Sequence, residues 1–221
     1  MKKTLLALAL AAVPFVSSAS ESNGIGYNHV QLDYVYEDAY YYGNGAAISG
    51  SYAFTDNFFV TGRYARTTDD VDSWLGDFDF SAYDLAIRDV DVDLAVKNWS
   101  VGIGFNKAIG DRADWVSQLA YARKKVDADI TVCGAGGCVS DSGEVVDYSG
   151  YNLSTGVRGR VTDALSANAY LGYEDYNHHY DGDFYADFGM GYAFNPTWSL
   201  QTGVRLADST QTWNLGVRAS F

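Results

Sequence analysis

Three features of this 221-residue chain predict an all-β, antiparallel, up-and-down transmembrane β-barrel of ten strands, with eight as the alternative count. The first is an apolar/polar alternation of period two that recurs in segments long enough to cross a bilayer, as a wall with lipid on one side and a lumen on the other requires. The second is a set of compact turns, Thr55-Asp56-Asn57, Gly110-Asp111-Arg112, Thr162-Asp163-Ala164 and Asn195-Pro196-Thr197, that alternate along the chain with longer acidic or Tyr-rich connections. The third is composition: 15% aromatic residues, 23 Gly and 2 Pro suit many strands better than packed helices.

The N-terminus precedes the barrel. Lys2 and Lys3 are followed by a mostly apolar stretch, Leu5 to Val16, and then by Ser17, Ser18 and Ala19, the pattern of a secretory signal with a small-x-small cleavage site. That stretch is too short to span a bilayer as a helix. Residues 1–19 are therefore expected to be removed, with cleavage one residue later as the alternative, leaving residues 20–221 as the barrel domain. With 15 basic against 28 acidic residues, the chain is a poor partner for nucleic acid.

The strands are expected at 27–37, 44–54, 58–67, 93–108, 114–130, 148–161, 165–176, 183–194, 198–207 and 210–221. The Thr55 turn joins the second to the third, and the Gly110 turn joins the fourth to the fifth. The Thr162 turn joins the sixth to the seventh, and the Asn195 turn joins the eighth to the ninth. In the fourth, Trp99, Val101, Ile103 and Phe105 oppose Ser100, Gly102, Gly104 and Asn106. In the eighth, Phe184, Ala186, Phe188, Met190, Tyr192 and Phe194 oppose Tyr185, Asp187, Gly189 and Gly191. The ninth sets Trp198, Leu200, Thr202, Val204 and Leu206 against Ser199, Gln201, Gly203 and Arg205. The last sets Trp213, Leu215, Val217, Ala219 and Phe221 against Asn214, Gly216, Arg218 and Ser220.

An even count puts both termini and the four tight turns on the periplasmic side and sends the longer connections outward. Phe54, Phe58, Phe105, Trp115, Phe194, Trp198 and Phe221 then form a periplasmic girdle, which the Thr162 turn interrupts with Val161 and Leu165. Tyr36, Tyr121, Tyr173, Tyr176 and Tyr180 are expected to form the outer one. A secreted β-sandwich also alternates and is the competing fold.

Continued inward, the alternation points Arg63, Arg158, Arg160, Arg205 and Arg218 into the lumen with Asp33, Glu174, Asp187 and Gln201. In a narrow interior such charges pair with one another or with trapped water. They read as a polar plug that fixes register, or, through an excess of Arg, as a narrow pore for small anionic solutes.

Three outward connections carry candidate chemistry. Cys133 and Cys138, the only cysteines, bracket Gly-Ala-Gly-Gly and are expected to form a local disulfide that stiffens an exposed tip. Asp69, Asp70, Asp72, Asp77 and Asp79 belong to an acidic connection that reads as a solvated loop or as a divalent-cation site bridging to lipopolysaccharide phosphates, without EF-hand spacing. Beyond it Asp89, Asp91 and Asp93 alternate with Val90, Val92 and Leu94, which predicts that the fourth strand continues past the membrane with one acidic face. His178 and His179 lie between Asp175 and Asp181, a weak basis for an outer-rim hydrolase. No catalytic residues, cofactor or definite metal site are assigned.

Two segments carry a family resemblance: Gly26-Tyr27-Asn28-His29-Val30-Gln31-Leu32-Asp33-Tyr34, and Gly50-Ser51-Tyr52-Ala53-Phe54-Thr55-Asp56-Asn57-Phe58-Phe59-Val60. Together they resemble the sulfation-dependent quorum-factor family of small outer-membrane β-barrel proteins. The resemblance implies an outer-membrane location, release in vesicles, and a link to cell-cell signalling, motility, biofilm and virulence. It brings no catalytic residues. Phe221 likewise resembles the C-terminal aromatic signal by which the barrel-assembly machinery recognises its substrates. The remaining expected partners are outer-membrane lipid and lipopolysaccharide, and a host or neighbouring-cell surface.

Overall fold

A computed structural model describes residues 24–38, 42–70, 87–134, 136–177, 182–208 and 210–221, with backbone alone at Tyr42, Asp70 and residues 87–90. Its strands are β1 (His29–Asp38), β2 (Tyr42–Ala53), β3 (Phe58–Asp70), β4 (Ile87–Ala108), β5 (Ala113–Gly134), β6 (Gly137–Arg160), β7 (Leu165–Tyr176), β8 (Asp183–Ala193), β9 (Trp198–Ala207) and β10 (Thr210–Ser220). Each pairs antiparallel with its neighbours in sequence, and β10 returns to β1, from His29 opposite Ser220 to Asp38 opposite Gln211, to close the barrel. Ten strands, not eight, make the wall, and closure removes the free sheet edges within it.

Three of the four periplasmic turns share one device. The Thr55 hydroxyl oxygen accepts hydrogen bonds from the amides of Asn57 (3.4 Å) and Phe58 (2.9 Å). Thr162 does the same for Ala164 (3.3 Å) and Leu165 (3.0 Å), and the Asn195 amide oxygen for Thr197 (2.9 Å) and Trp198 (2.8 Å). A short acceptor side chain at the turn entry thus occupies amides that no strand can reach.

The alternation builds a wall with an oily exterior. Leu32, Tyr34, Ile48, Val60, Val101, Leu119, Leu153, Leu171, Phe188, Leu200 and Leu215 all face outward and are exposed, Leu171 by 68%. An aqueous exterior would not tolerate so continuous an apolar belt, whereas hydrocarbon requires it. The protein is therefore an outer-membrane β-barrel, and no helix occurs among the described residues.

Inward-facing glycines make room for large lumen side chains. A Cβ on Gly104 would lie 2.0 Å from the Phe59 ring, and one on Gly172 would lie 2.2 Å from that of Tyr185.

The observed strands depart from expectation in one place. β4 begins at Ile87 rather than 93, β5 runs to Gly134 rather than 130, and β6 begins at Gly137 rather than 148. These strands have 22, 22 and 24 residues, roughly double the 9–11 that a tilted strand needs to cross a bilayer. Their outer halves continue as a three-stranded sheet, a tower standing above the membrane. The segment read as a loop around the cysteines is the top of this hairpin. Its polar, Gly-containing sequence hides the strand, because exposure on the tower removes the apolar face by which membrane strands are recognised. The outward connections are also not uniformly longer: only residues 39–41 separate β1 from β2, and 208–209 separate β9 from β10.

Candidate functional site

The segment that precedes β1 packs into the periplasmic end of the lumen. Ile25 and Tyr27 pack with Ala53, Phe59 and Val116 as a buried apolar cluster, against which Tyr170 rests. Tyr27 stacks on Phe59 with ring centroids 4.7 Å apart and donates its hydroxyl to Asp114 Oδ2 at 2.7 Å. Asn28 accepts from the Ala53 amide at 2.7 Å. This stopper was not anticipated. Tyr27 and Asn28, expected to open the first strand, belong instead to this segment, because β1 begins at His29.

Above the stopper lies a polar cavity of about 560 Å³ lined by residues of every strand, among them His29, Arg63, Arg205, Arg218, Glu174 and Asp187. Arg205 grips Asp187 with two bonds (2.8 and 3.0 Å), approaches Glu174 at 3.7 Å and lies 4.1 Å above the Tyr185 ring. Arg63 stands 3.9 Å from Asp33, which accepts from Gln31 Nε2 at 2.7 Å. Arg218 donates to Gln31 Oε1 at 2.8 Å, and Arg158 lies 5.1 Å over the Tyr27 ring. Arg160 shares the inward parity, but its guanidinium is held at the periplasmic rim by Asp163 (2.9 Å), out of the lumen network.

The set of charges in the lumen is larger than the alternation suggested. Two carboxylates absent from that expectation join the set: Asp114 on the stopper, and Glu37, which faces Lys124 at 4.0 Å. Among the described residues the lumen thus carries an apolar cluster at its periplasmic end and paired charges above it.

Polarity inverts along two of the long strands, β4 and β5, while β6 is interrupted by a bulge at Val145. On β4 the outward positions change from Phe105, Ile103, Val101 and Trp99 to Lys97, Asp93 and Asp91, while the inward ones change from Gly102, Ser100 and Asn98 to Val96, Leu94 and Val92. On β5 outward Leu119 and Tyr121 give way to Arg123, Lys125, Asp127 and Asp129, and the inward positions become Val126, Ala128, Ile130 and Val132. A strand keeps its parity, so the inversion records a change of solvent from hydrocarbon to water. Trp99 and Tyr121, 5.5 Å apart, mark the boundary together with Tyr64 and Tyr151. Of the expected outer girdle, Tyr176 instead lines the cavity, because its parity is that of Glu174, and Tyr180 lies outside the described residues.

Just above the boundary a basic rung crosses three strands, with Arg66 opposite Lys97 and Lys97 opposite Lys125. Lys97 pairs with Asp127 at 2.5 Å, Lys125 reaches Glu144 and Asp147, and Arg123 forks onto Asp147, with Nε at 2.7 Å. That fork holds the Asp147 carboxyl at about 2, below the usual carboxylate range, and raises the Arg123 guanidinium. Higher up, Asp70, Asp93 and Asp129 fall on one rung. The top is closed by the disulfide between Cys133 and Cys138, which oppose each other in register, followed by Gly137 at φ 122°. β7 pairs with β6 only from Gly150, and Asn177 takes both backbone groups of Ser149, so among the described residues positions 137–148 have no strand beside them on that edge of the tower.

Asp69 and Asp70 end β3, whereas Asp72, Asp77 and Asp79 lie outside the described residues, as do His178, His179, Asp181 and residues 1–19. No group of three potential metal ligands occurs among the described residues. Phe221 follows β10, and its amide donates to the Asn28 carbonyl at 3.2 Å.

No family model matches the chain, and no curated protein matches it. Solved structures with a similar outline include Ail, the attachment invasion locus protein of Yersinia pestis, at 16% identity over 89% of this chain and 99% of that one, with a TM-score of 0.40. The KdgM porin aligns at 11% identity over 86% and 99%, with a TM-score of 0.41, and the NanC porin at 7% over 87% and 100%, with a TM-score of 0.48. Likeness this distant carries no argument about function. The quorum-factor resemblance rests on its two segments alone, which form the stopper with β1 and the β2–β3 hairpin.

Proposed function

We propose that this small outer-membrane barrel is a surface-interaction protein whose working part is the tower. The observation that carries the reading is the continuation of β4, β5 and β6 far past the aromatic boundary as a sheet whose edge at 137–148 has no strand beside it among the described residues. An open edge offers unpaired amides and carbonyls to an extended partner, and the Ser- and Asp-rich outer face keeps that edge soluble. At the tower's base, Arg66 and the acid-paired Lys97, Arg123 and Lys125 stand just above the aromatic boundary, where lipid phosphates would meet them, which supports contact with lipopolysaccharide. The tip would then meet a neighbouring or host cell, in keeping with the signalling, biofilm and virulence associations that the family resemblance implies. Removal of residues 1–19 and vesicle release belong to the same proposal.

The test is a variant in which residues 129–142 are replaced by a two-residue Asn-Gly turn. It is expected to keep the heat-modifiable gel mobility of a folded barrel and to lose cell-cell aggregation and biofilm formation. Wild-type aggregation by a folded, truncated barrel would overturn the reading.

A further inference from the structure

The upper part of β6 is an edge whose hydrogen-bonding groups have a definite direction. Cys133 and Cys138 oppose each other with Cα atoms 4.0 Å apart, nearer the about 4.5 Å of a non-hydrogen-bonded antiparallel pair than the about 5.5 Å of a bonded one. Every second residue from Cys138, namely Ser140, Ser142 and Glu144, therefore also turns its amide and carbonyl away from β5, toward the side that has no strand among the described residues. Ser149 turns both groups the same way and is met there by Asn177. The same stretch carries Val139 and Val145, apolar side chains left 74% and 63% exposed above the membrane. A Cβ on Gly143 would meet nothing within 4 Å, so the packing of the chain on itself does not call for a glycine there.

Resting on the reading of the tower as the working part, we infer that its partner is a second copy of this chain on an opposing cell, joined by antiparallel pairing of residues 138–146 about Ser142. In that register Ser142 lies opposite its own copy, Ser140 opposite Glu144, Asp141 opposite Gly143, and Val139 opposite Val145. The pairs made by Ser140, Ser142 and Glu144 supply about six hydrogen bonds. Each exposed valine gains an apolar neighbour, and no like charges stand directly opposite. Neighbouring registers are worse. Centring the pair on Asp141 or on Glu144 sets that carboxylate against itself, and centring it on Gly143 runs Asp141 onto the bulge at Val145. An inward carboxylate and a bulge are devices that blunt an edge, and here they leave one alignment open. Direction excludes a symmetric pair within one membrane. Two towers rising together would run their β6 edges parallel and in step, with Asp141 and Glu144 each beside its own copy. Antiparallel edges instead put the barrels at opposite ends of the joint sheet, in two membranes about 40 Å apart, roughly twelve residues at about 3.3 Å each.

The test displays the full-length protein on two populations of a host whose lipopolysaccharide lacks long side chains, each population with its own epitope tag and fluorescent label. On mixing under mild oxidation, Ser142→Cys is expected to give a mixed-tag disulfide dimer. Glu144→Cys is not, because its own copy lies four residues along, about 13 Å away and beyond disulfide reach. Asp141→Lys cells are expected to join wild-type cells several-fold more often than their own kind, since the two residues at 141 are diagonal neighbours in this register. Wild-type aggregates are expected to exclude cells that lack the protein. Heat-modifiable mobility confirms that each variant is folded. Equal dimer yields from the two cysteine variants, no dimer from Ser142→Cys, or no partner preference by Asp141→Lys cells overturns the pairing. Aggregates that take up cells lacking the protein as readily as expressing ones overturn self-recognition but leave the tower as a surface for another partner. Wild-type aggregation by the barrel truncated at 129–142 defeats both readings.

Discussion

The lower and upper halves of β4 and β5 use the same alternation for opposite purposes. Below Trp99 and Tyr121, outward side chains are apolar because lipid covers them, and inward ones are small or polar because they share a crowded lumen. Above that line the outward side chains carry paired charges, and the apolar ones turn inward. Parity alone therefore does not tell which face of a strand is greasy. The medium at each height decides, and an uninterrupted strand passing through both media shows where one ends.

The sharpest way to break this comparison is to put one charge in each half. Val101→Arg, on the lipid face, is expected to cost about 2–4 kcal/mol. Thr131→Arg, on the outer tower face, is expected to stay within about 0.5 kcal/mol of wild type. Urea titration of the two variants in lipid vesicles, read by heat-modifiable mobility, measures both. Equal costs would mean that the inversion does not mark the membrane edge.

A smaller effect separates the halves in a second way. Closing the six-residue ring between Cys133 and Cys138 stabilises the tip by about 2 kcal/mol on the loop-entropy estimate. Reduction is thus expected to speed amide exchange in residues 129–142 and to leave β1, β9 and β10 unchanged. Accelerated exchange in the barrel wall would show that tower and barrel unfold as one unit.

Much of this was legible in the chain because membrane strands advertise themselves. Leu200, Val204, Leu215 and Val217 are apolar on a strict period of two, and the acceptors Thr55, Thr162 and Asn195 punctuate the turns. The tower was half visible. Asp89, Asp91 and Asp93 gave away the acidic face of β4, but residues 137–147 look like a loop when no lipid demands an oily face. The stopper left almost no trace, since Tyr27 and Asn28 read as the opening of the first strand. Charge pairing in the lumen was legible as a set but not as partners. Whether Arg205 meets Asp187 and Arg63 meets Asp33 depends on stagger between strands, which period does not report.

The mildest perturbation is acid. Because the Arg123 fork holds the folded Asp147 carboxyl at about 2, this pair contributes above the ordinary carboxylate range near pH 4 and is lost as pH falls from there toward 2. Amide exchange at Arg123 and Asp147 is expected to rise over that window in wild type but not in Asp147→Asn. Wild-type behaviour in the variant would show that other carboxylates control the tower base.

The segment that corks the barrel also fastens its seam. Asn28 accepts from Ala53 at the foot of β2 and offers its carbonyl to the amide of Phe221 beyond β10, one residue after Tyr27 stacks on Phe59. Zippering the first strand to the last and seating the floor are therefore a single event in assembly. A half-inserted barrel with its lateral gap still open lacks the Phe221 bond that helps to hold this segment in place.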